Sequence, residues 1–205
     1  VREDASLELL GAPIPCVSRG GLKREGALDH FGVTVRGKVA MDVGASTGGF
    51  TDCLLKRGAR KVYAVDVGYG QLHWRLRQDP RVVCLERRNI RYLRKDEVPE
   101  EVDLVTIDTS FISLRLVIPA ALKFVKPQGE LLALIKPQFE VGRGEVEKGG
   151  VVRDPEKHRR VIQGIWSFCE ELGLRPQGVM ESPLRGPKGN KEFFIYLRKG
   201  EDGEA

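Results

Sequence analysis

The chain has 205 residues, 41% of them hydrophobic and 31% charged, enough for one full-sized α/β domain and too few for two of comparable size. A core of that size needs neither disulfides nor metal, and the scattered Cys16, Cys53, Cys84 and Cys169 and three isolated histidines argue against a zinc site. The formal charge of +5 permits a polyanionic partner without requiring one.

In chain order, residues 1–15 read as a linker or the remnant of an upstream unit. Ser18 to Phe31 reads as an amphipathic helix, with Ser18 as its cap and Gly32 as its stop. Five short apolar segments follow: Val39–Val43, Lys61–Val65, Val82–Glu86, Leu104–Ile107 and Leu131–Ile135. Most lead through a turn into a helix-like stretch, the pattern of βαβ units and a parallel sheet. Gly142 to Gly150, rich in glycine and charge, reads as a mobile loop. A long amphipathic helix is predicted from about Pro155 to Leu172. Arg175–Glu181 and Phe193–Leu197 are strands joined by a loop rich in Pro and Gly, which implies an antiparallel hairpin. Residues 200–205 are a tail. The expectation is an α/β, Rossmann-like, seven-stranded sheet, mostly parallel and closed by a terminal antiparallel hairpin. That arrangement is typical of methyltransferases.

The turn after the first strand, Asp42-Val43-Gly44-Ala45-Ser46-Thr47-Gly48-Gly49-Phe50, allows close backbone approach to a ligand. Its spacing is neither the G-x-G-x-x-G of dinucleotide binders nor a phosphate loop. Asp42 would repel phosphate but suits the ammonium of a methionine moiety. Asp66 ends the second strand about 20 residues on, where a carboxylate can accept from both ribose hydroxyls. Val67 follows it, and Asn89 after the third strand can reach an adenine edge. The set favours a nucleoside cofactor without phosphates, S-adenosylmethionine.

The fourth strand ends in Asp108-Thr109-Ser110-Phe111 and the fifth in Lys136-Pro137-Gln138-Phe139-Glu140. Lys136 and Asp108 therefore sit at the carboxyl edge of the sheet, where ligands bind, with Lys23 on the leading helix and Glu192 opening the last strand. A ribose hydroxyl needs a base to share its proton while a methyl group arrives. Lys136 can serve only if its pKa falls well below the usual ~10.4. Desolvation, a sulfonium and Lys23 push it down, Asp108 and Glu192 push it up, and residue types alone leave the net sign open. Arg19, Arg24, Arg87, Arg88, Arg91, Arg159 and Arg160 could follow an RNA backbone, and Phe111 or Phe139 could stack on a displaced base.

Ser18-Arg19-Gly20-Gly21-Leu22-Lys23, Asp42 to Phe50, Val65 to Leu72, Asp108 to Phe111 and Lys136 to Glu140 together resemble the TlyA (haemolysin A) family of FtsJ-like 2'-O-methyltransferases, from about Cys16 to Leu197. The resemblance implies residues 16–199 as the methyltransferase domain and an S4-type RNA-binding domain ahead of it. It implies a Lys-Asp-Lys-Glu tetrad at Lys23, Asp108, Lys136 and Glu192, and a cytidine ribose of ribosomal RNA or ribosomal subunits as target. No metal and no membrane partner is expected, since the apolar runs are far too short for a span. Single thiols without a signal peptide point to the cytoplasm. A membrane-lytic haemolysin, a non-catalytic RNA-binding protein and a base methyltransferase are the rival readings. The last would favour an Asn/Asp-Pro-Pro-aromatic turn or a cysteine nucleophile, neither of which occurs near Asp108.

Overall fold

The computed structural model describes residues 19–201. The expected N-terminal linker, the Ser18 cap and most of the tail lie outside them. Helix α1 spans Arg19–His30, β1 Val39–Val43, α2 Gly49–Lys56, β2 Lys61–Val65, α3 Trp74–Gln78, β3 Val82–Leu85 and β4 Val102–Ile107. Then come α4 at Leu114–Leu122, β5 at Val125–Ile135, α5 at Pro155–Glu171, β6 at Leu174–Glu181 and β7 at Phe193–Lys199. The strands form one seven-stranded sheet in the order β3-β2-β1-β4-β5-β7-β6. β1 to β5 run parallel, and β7 lies antiparallel between β5 and β6.

Helices cover both faces of the sheet, so neighbouring strand residues are buried on opposite sides. Met41, Val43, Tyr63, Val105, Leu131 and Ile195 pack toward α4 and α5. Ala40, Val62, Leu104, Leu132, Leu134 and Phe194 pack toward α1 and α2. Helix α5 starts where the sequence says: the Asp154 side chain accepts from the Glu156 amide, and Pro155 takes the first turn, where a missing N–H costs nothing. His158, Val161, Ile165 and Cys169 repeat at helical spacing and form its buried stripe.

Three details depart from expectation. Strand β5 starts six residues early, at Val125 instead of Leu131, and so contains Gly129. Pro127 and Gly129 make this stretch look like a turn, but β4 pairs with both of its ends across a bulge between Val102 and Leu104. The segment from Gly142 to Gly150 is tied down. Glu145 is held by Arg160 at 2.6 Å and by its own carbonyl to Lys157 at 2.9 Å, while Asn190 Nδ2 donates to the Gly150 carbonyl at 2.9 Å. Cys53 is disulfide-bonded, whereas Cys84 and Cys169 are free thiols, so the thiol argument for a reducing compartment loses part of its basis.

Candidate active site

The site follows from strand register. Val43 pairs with Val65 on one side and Ile107 on the other, so the next residues, Gly44, Asp66 and Asp108, emerge side by side from three parallel strands. Gly44 has φ +79, and a Cβ there would lie 2.2 Å from the Asp108 carbonyl oxygen. Only glycine allows the turn to pass that close. Asp66 braces the turn, its Oδ2 accepting from the Ser46 amide at 2.6 Å and its Oδ1 from the Gly68 amide at 2.7 Å.

A cavity of about 380 Å³ opens above these strand ends. Gly44, Ser46, Asp66, Val67, Asn89 and Asp108 line it, as the sequence suggested. Gly68, Gln71, Ile90, Thr109, Ser110 and Ile112 also line it and were missed, as do Arg88 and Phe111, which the sequence assigned to RNA instead. Their signal was positional: each follows the end of β2, β3 or β4. Valines and isoleucines form the apolar walls, carboxylates hold the floor, and Arg88 is the one cationic lining residue among the described residues. Such a lining fits a nucleoside carrying positive charge and would repel a pyrophosphate.

The rest of the expected turn set lies elsewhere. Ala45 and Phe50 are buried, and Phe50 packs edge-on against Phe194 at 6.3 Å. Thr47, Gly48 and Gly49 border a separate cavity of about 670 Å³ together with His73 and Leu76. Asp42 is 1% exposed and anchors the turn from below, accepting from the Thr51 amide at 3.0 Å, the Thr51 hydroxyl at 2.8 Å and the Thr106 hydroxyl at 3.2 Å. The geometry gives it a different job from the ligand contact read in sequence: it fixes the start of α2.

Burial pushes the Asp42 carboxyl up from 3.8 to about 6, against the pull of Thr51 and Arg24. The folded protein therefore takes up this proton before the unfolded chain does. Asp42 contributes stability that grows as pH falls from about 6 toward 3.8 and shrinks again as pH rises through that window. Asp42→Asn should remove this slope. Thermal melts that show the same wild-type-minus-variant difference at pH 4 and pH 7 would contradict it.

The four expected catalytic residues converge. Lys136 Nζ stands 2.7 Å from Asp108 Oδ1 and 3.1 Å from the Ser110 hydroxyl. Lys23 Nζ lies 3.7 Å from Glu192 Oε1, and Gln138 Nε2 donates to Glu192 Oε2 at 3.2 Å. Antiparallel register explains half of this: Ile135 pairs with Phe193, so Lys136 and Glu192 are the next residues across adjacent strand ends. Glu192 is 1% exposed, and a Cβ at Gly186 would fall 2.3 Å from its carboxylate, so the loop before β7 presses against it.

Burial raises the Asp108 carboxyl, but Lys136, Lys23 and Arg24 outweigh it and hold the group below the usual carboxylate range. Burial holds the Lys23 ammonium below its ordinary value despite Asp108 and Glu192. Arg24, assigned from sequence to an RNA track, instead points inward and pairs with Asp108 Oδ2 at 2.6 Å. At the rim, Phe111 is 89% exposed and its ring centroid lies 4.9 Å from that of Phe139.

The FtsJ-like methyltransferase model matches residues 16–199. The 16S/23S rRNA (cytidine-2'-O)-methyltransferase TlyA of Mycobacterium tuberculosis is 51% identical over 186 residues, which cover 91% of this chain and 69% of that protein. Hemolysin A of Brachyspira hyodysenteriae is 43% identical over 185 residues, covering 90% and 77%. A solved structure of a protein described as a hemolysin of Streptococcus thermophilus superposes with a TM-score of 0.88 at 43% identity, covering 95% of this chain and 72% of that one. The N-methyltransferase NodS of Bradyrhizobium japonicum, solved with S-adenosyl-L-homocysteine, shares the fold alone, with a TM-score of 0.61 at 15% identity and 87% of each chain covered. The chain belongs to the FtsJ-like methyltransferases, in their TlyA family, and its cofactor is S-adenosylmethionine.

Proposed function

We infer that this protein methylates the 2'-hydroxyl of a cytidine ribose in ribosomal RNA, of the small subunit, the large subunit or both. The observation that carries this reading is the Lys136–Asp108 pair, 2.7 Å apart at the edge of the cofactor cavity, with Lys23 and Glu192 closing the group. When bound, the cofactor supplies an electrophilic methyl group on a sulfonium. An ammonium accepts nothing, so to take the 2'-hydroxyl proton Lys136 must first give up its own. Asp108 and the Ser110 hydroxyl fix where its nitrogen points. Glu192, held by Gln138, places Lys23 beside the reacting hydroxyl. Asp66 and Asn89 hold the nucleoside end.

Three arginine–aromatic pairs lie on the segments after β2 and β3: Arg87 over Tyr69 at 4.4 Å, beside the cavity-lining Gly68 and Arg88, Arg75 over Trp74 at 5.5 Å and Arg91 over Tyr92 at 5.6 Å. Cationic and stacking groups of this kind suit phosphates and unpaired bases. Such a reaction belongs where ribosomes are, in the cytoplasm. The lytic alternative finds no support in the helices: among the described residues none is long and apolar enough to cross a membrane.

The direct test is incubation of ribosomal subunits with protein and cofactor, followed by mass-spectrometric mapping of 2'-O-methylated nucleotides. A mark on a base, or none on either subunit, would overturn the assignment. For the cofactor end, Asp66→Ala should weaken binding by on the order of 1.5–3 kcal/mol, the value of charge-assisted hydrogen bonds. Calorimetry with an unchanged dissociation constant would remove Asp66 from the site.

A further inference from the structure

Arg24 is the charged group of this site that the proposed reaction does not use. It neighbours Lys23 on α1, yet the two side chains serve different partners, because successive helical residues point roughly 100° apart. Lys23 faces Glu192, and Arg24 reaches Asp108. The guanidinium is wedged between Phe50, whose ring centroid lies 5.2 Å from its central carbon, and Gly49, where a Cβ would stand 2.4 Å from one of its nitrogens. Its Nε is buried and, among the described residues, has no hydrogen-bond partner. A guanidinium retained only as a strut would normally have its buried donors satisfied.

Asp108 is thus divided between two cations, with Lys136 on Oδ1 at 2.7 Å and Arg24 on Oδ2 at 2.6 Å. Each added positive charge in so small a volume makes the next one harder to keep. The charged and titratable groups facing this point are Lys23 and Arg24 from α1, Asp42 from β1, Asp108 from β4, Lys136 from β5 and Glu192 ahead of β7. Among them Arg24 is the one that stays cationic at any working pH.

We propose that Arg24 is a positioning residue that takes up half of the Asp108 carboxylate and so frees Lys136 to lose its proton. The reading rests on Lys136 being the base of the proposed reaction. Without Arg24, Asp108 would turn its whole charge on the lysines and hold them as ammonium ions. The lowered value of Lys23, to which Arg24 contributes after burial, accords with this direction.

The test follows the lysine ε-carbons by NMR across a pH series in the cofactor-free protein, with Lys136 and Lys23 assigned through Lys136→Arg and Lys23→Arg. Arg24→Leu should raise the Lys136 midpoint, and Arg24→Lys should reverse most of that rise. Arg24→Gln retains a donor toward Asp108 without charge. It separates the bond from the charge and stands in should the leucine variant not fold. A Lys136 midpoint unmoved in the neutral variants, or moved equally by Arg24→Lys, would reduce Arg24 to a strut. Turnover of Lys136→Arg, measured alongside, tells the two failures apart. If that variant is active, the base assignment falls whatever the titration shows. If it is inactive while the midpoints stay put, only the role of Arg24 falls.

Discussion

Lys136→Ala is expected to lower turnover by roughly 10²–10⁴-fold, the range for a positioned acid–base group. The residue follows the last position of β5, and Pro137 begins the short 3₁₀ turn Pro137–Phe139 directly after it. It is 8% exposed and held by Asp108 and Ser110, so the alanine variant loses a nitrogen with a defined place. Cofactor affinity should barely change, because Lys136 is not among the residues lining the 380 Å³ cavity. Lys136→Arg should be nearly as damaging as alanine, since a guanidinium does not give up its proton near neutrality. Single-turnover methylation with both variants checks this. Substantial activity in the arginine variant would demote Lys136 to an electrostatic clamp on RNA.

Gly44→Ala should cost about 3 kcal/mol of stability and abolish methylation as well. Two penalties add at this residue: a left-handed φ of +79, and a Cβ placed 2.2 Å from the Asp108 carbonyl oxygen and 2.8 Å from its carbon. Both neighbours are backbone, so the methyl group can be admitted only by moving the end of β4, and Asp108 with it. Gly32→Ala is the control. Its φ is +61 and nothing stands within 4 Å, so it carries the conformational penalty alone, about 1 kcal/mol. Denaturation of the two variants side by side isolates the contribution of close approach. Equal losses would mean that the turn and β4 are not in the tight contact described.

These two predictions differ in how legible they were. Lys136 could be nominated from sequence because a lysine directly after a run of buried apolar residues has one place to go in a parallel sheet, the carboxyl edge. Asp66 and Asp108 follow the same logic. Gly44 was legible as a permissive residue, but the reason it must be glycine lies at Asp108, just past β4 and 64 residues further along, and appears only with the β1–β4 register.

Elsewhere local pattern misled. The apolar run placed the fifth strand at Leu131–Ile135, yet Val125 to Glu130 also belong to it, because β4 supplies partners on both sides of a bulge. Gly142 to Gly150 looks mobile by composition, yet Arg160, Lys157 and Asn190 reach it from distant elements. Asp42 looks like a ligand by its place in a glycine-rich turn. It is buried because Thr51 and Thr106 supply the donors that a carboxylate in the core requires.

By itself the sequence determined the alternation of strands and helices, the phosphate-free turn, and the acids and lysine at the ends of β2, β4 and β5. All of these depend on residues within a few positions of one another, through hydrophobic periodicity and turn chemistry. Only the tertiary structure decided that β7 inserts beside β5, which sets Glu192 against Lys136. The same holds for the packing of α1 on α2, which sends Lys23 toward Glu192 and Arg24 into Asp108. Those placements depend on strand order and on which helix face finds an apolar partner. Chain-local preferences do not encode either, and they are settled when both faces of the sheet bury their side chains together.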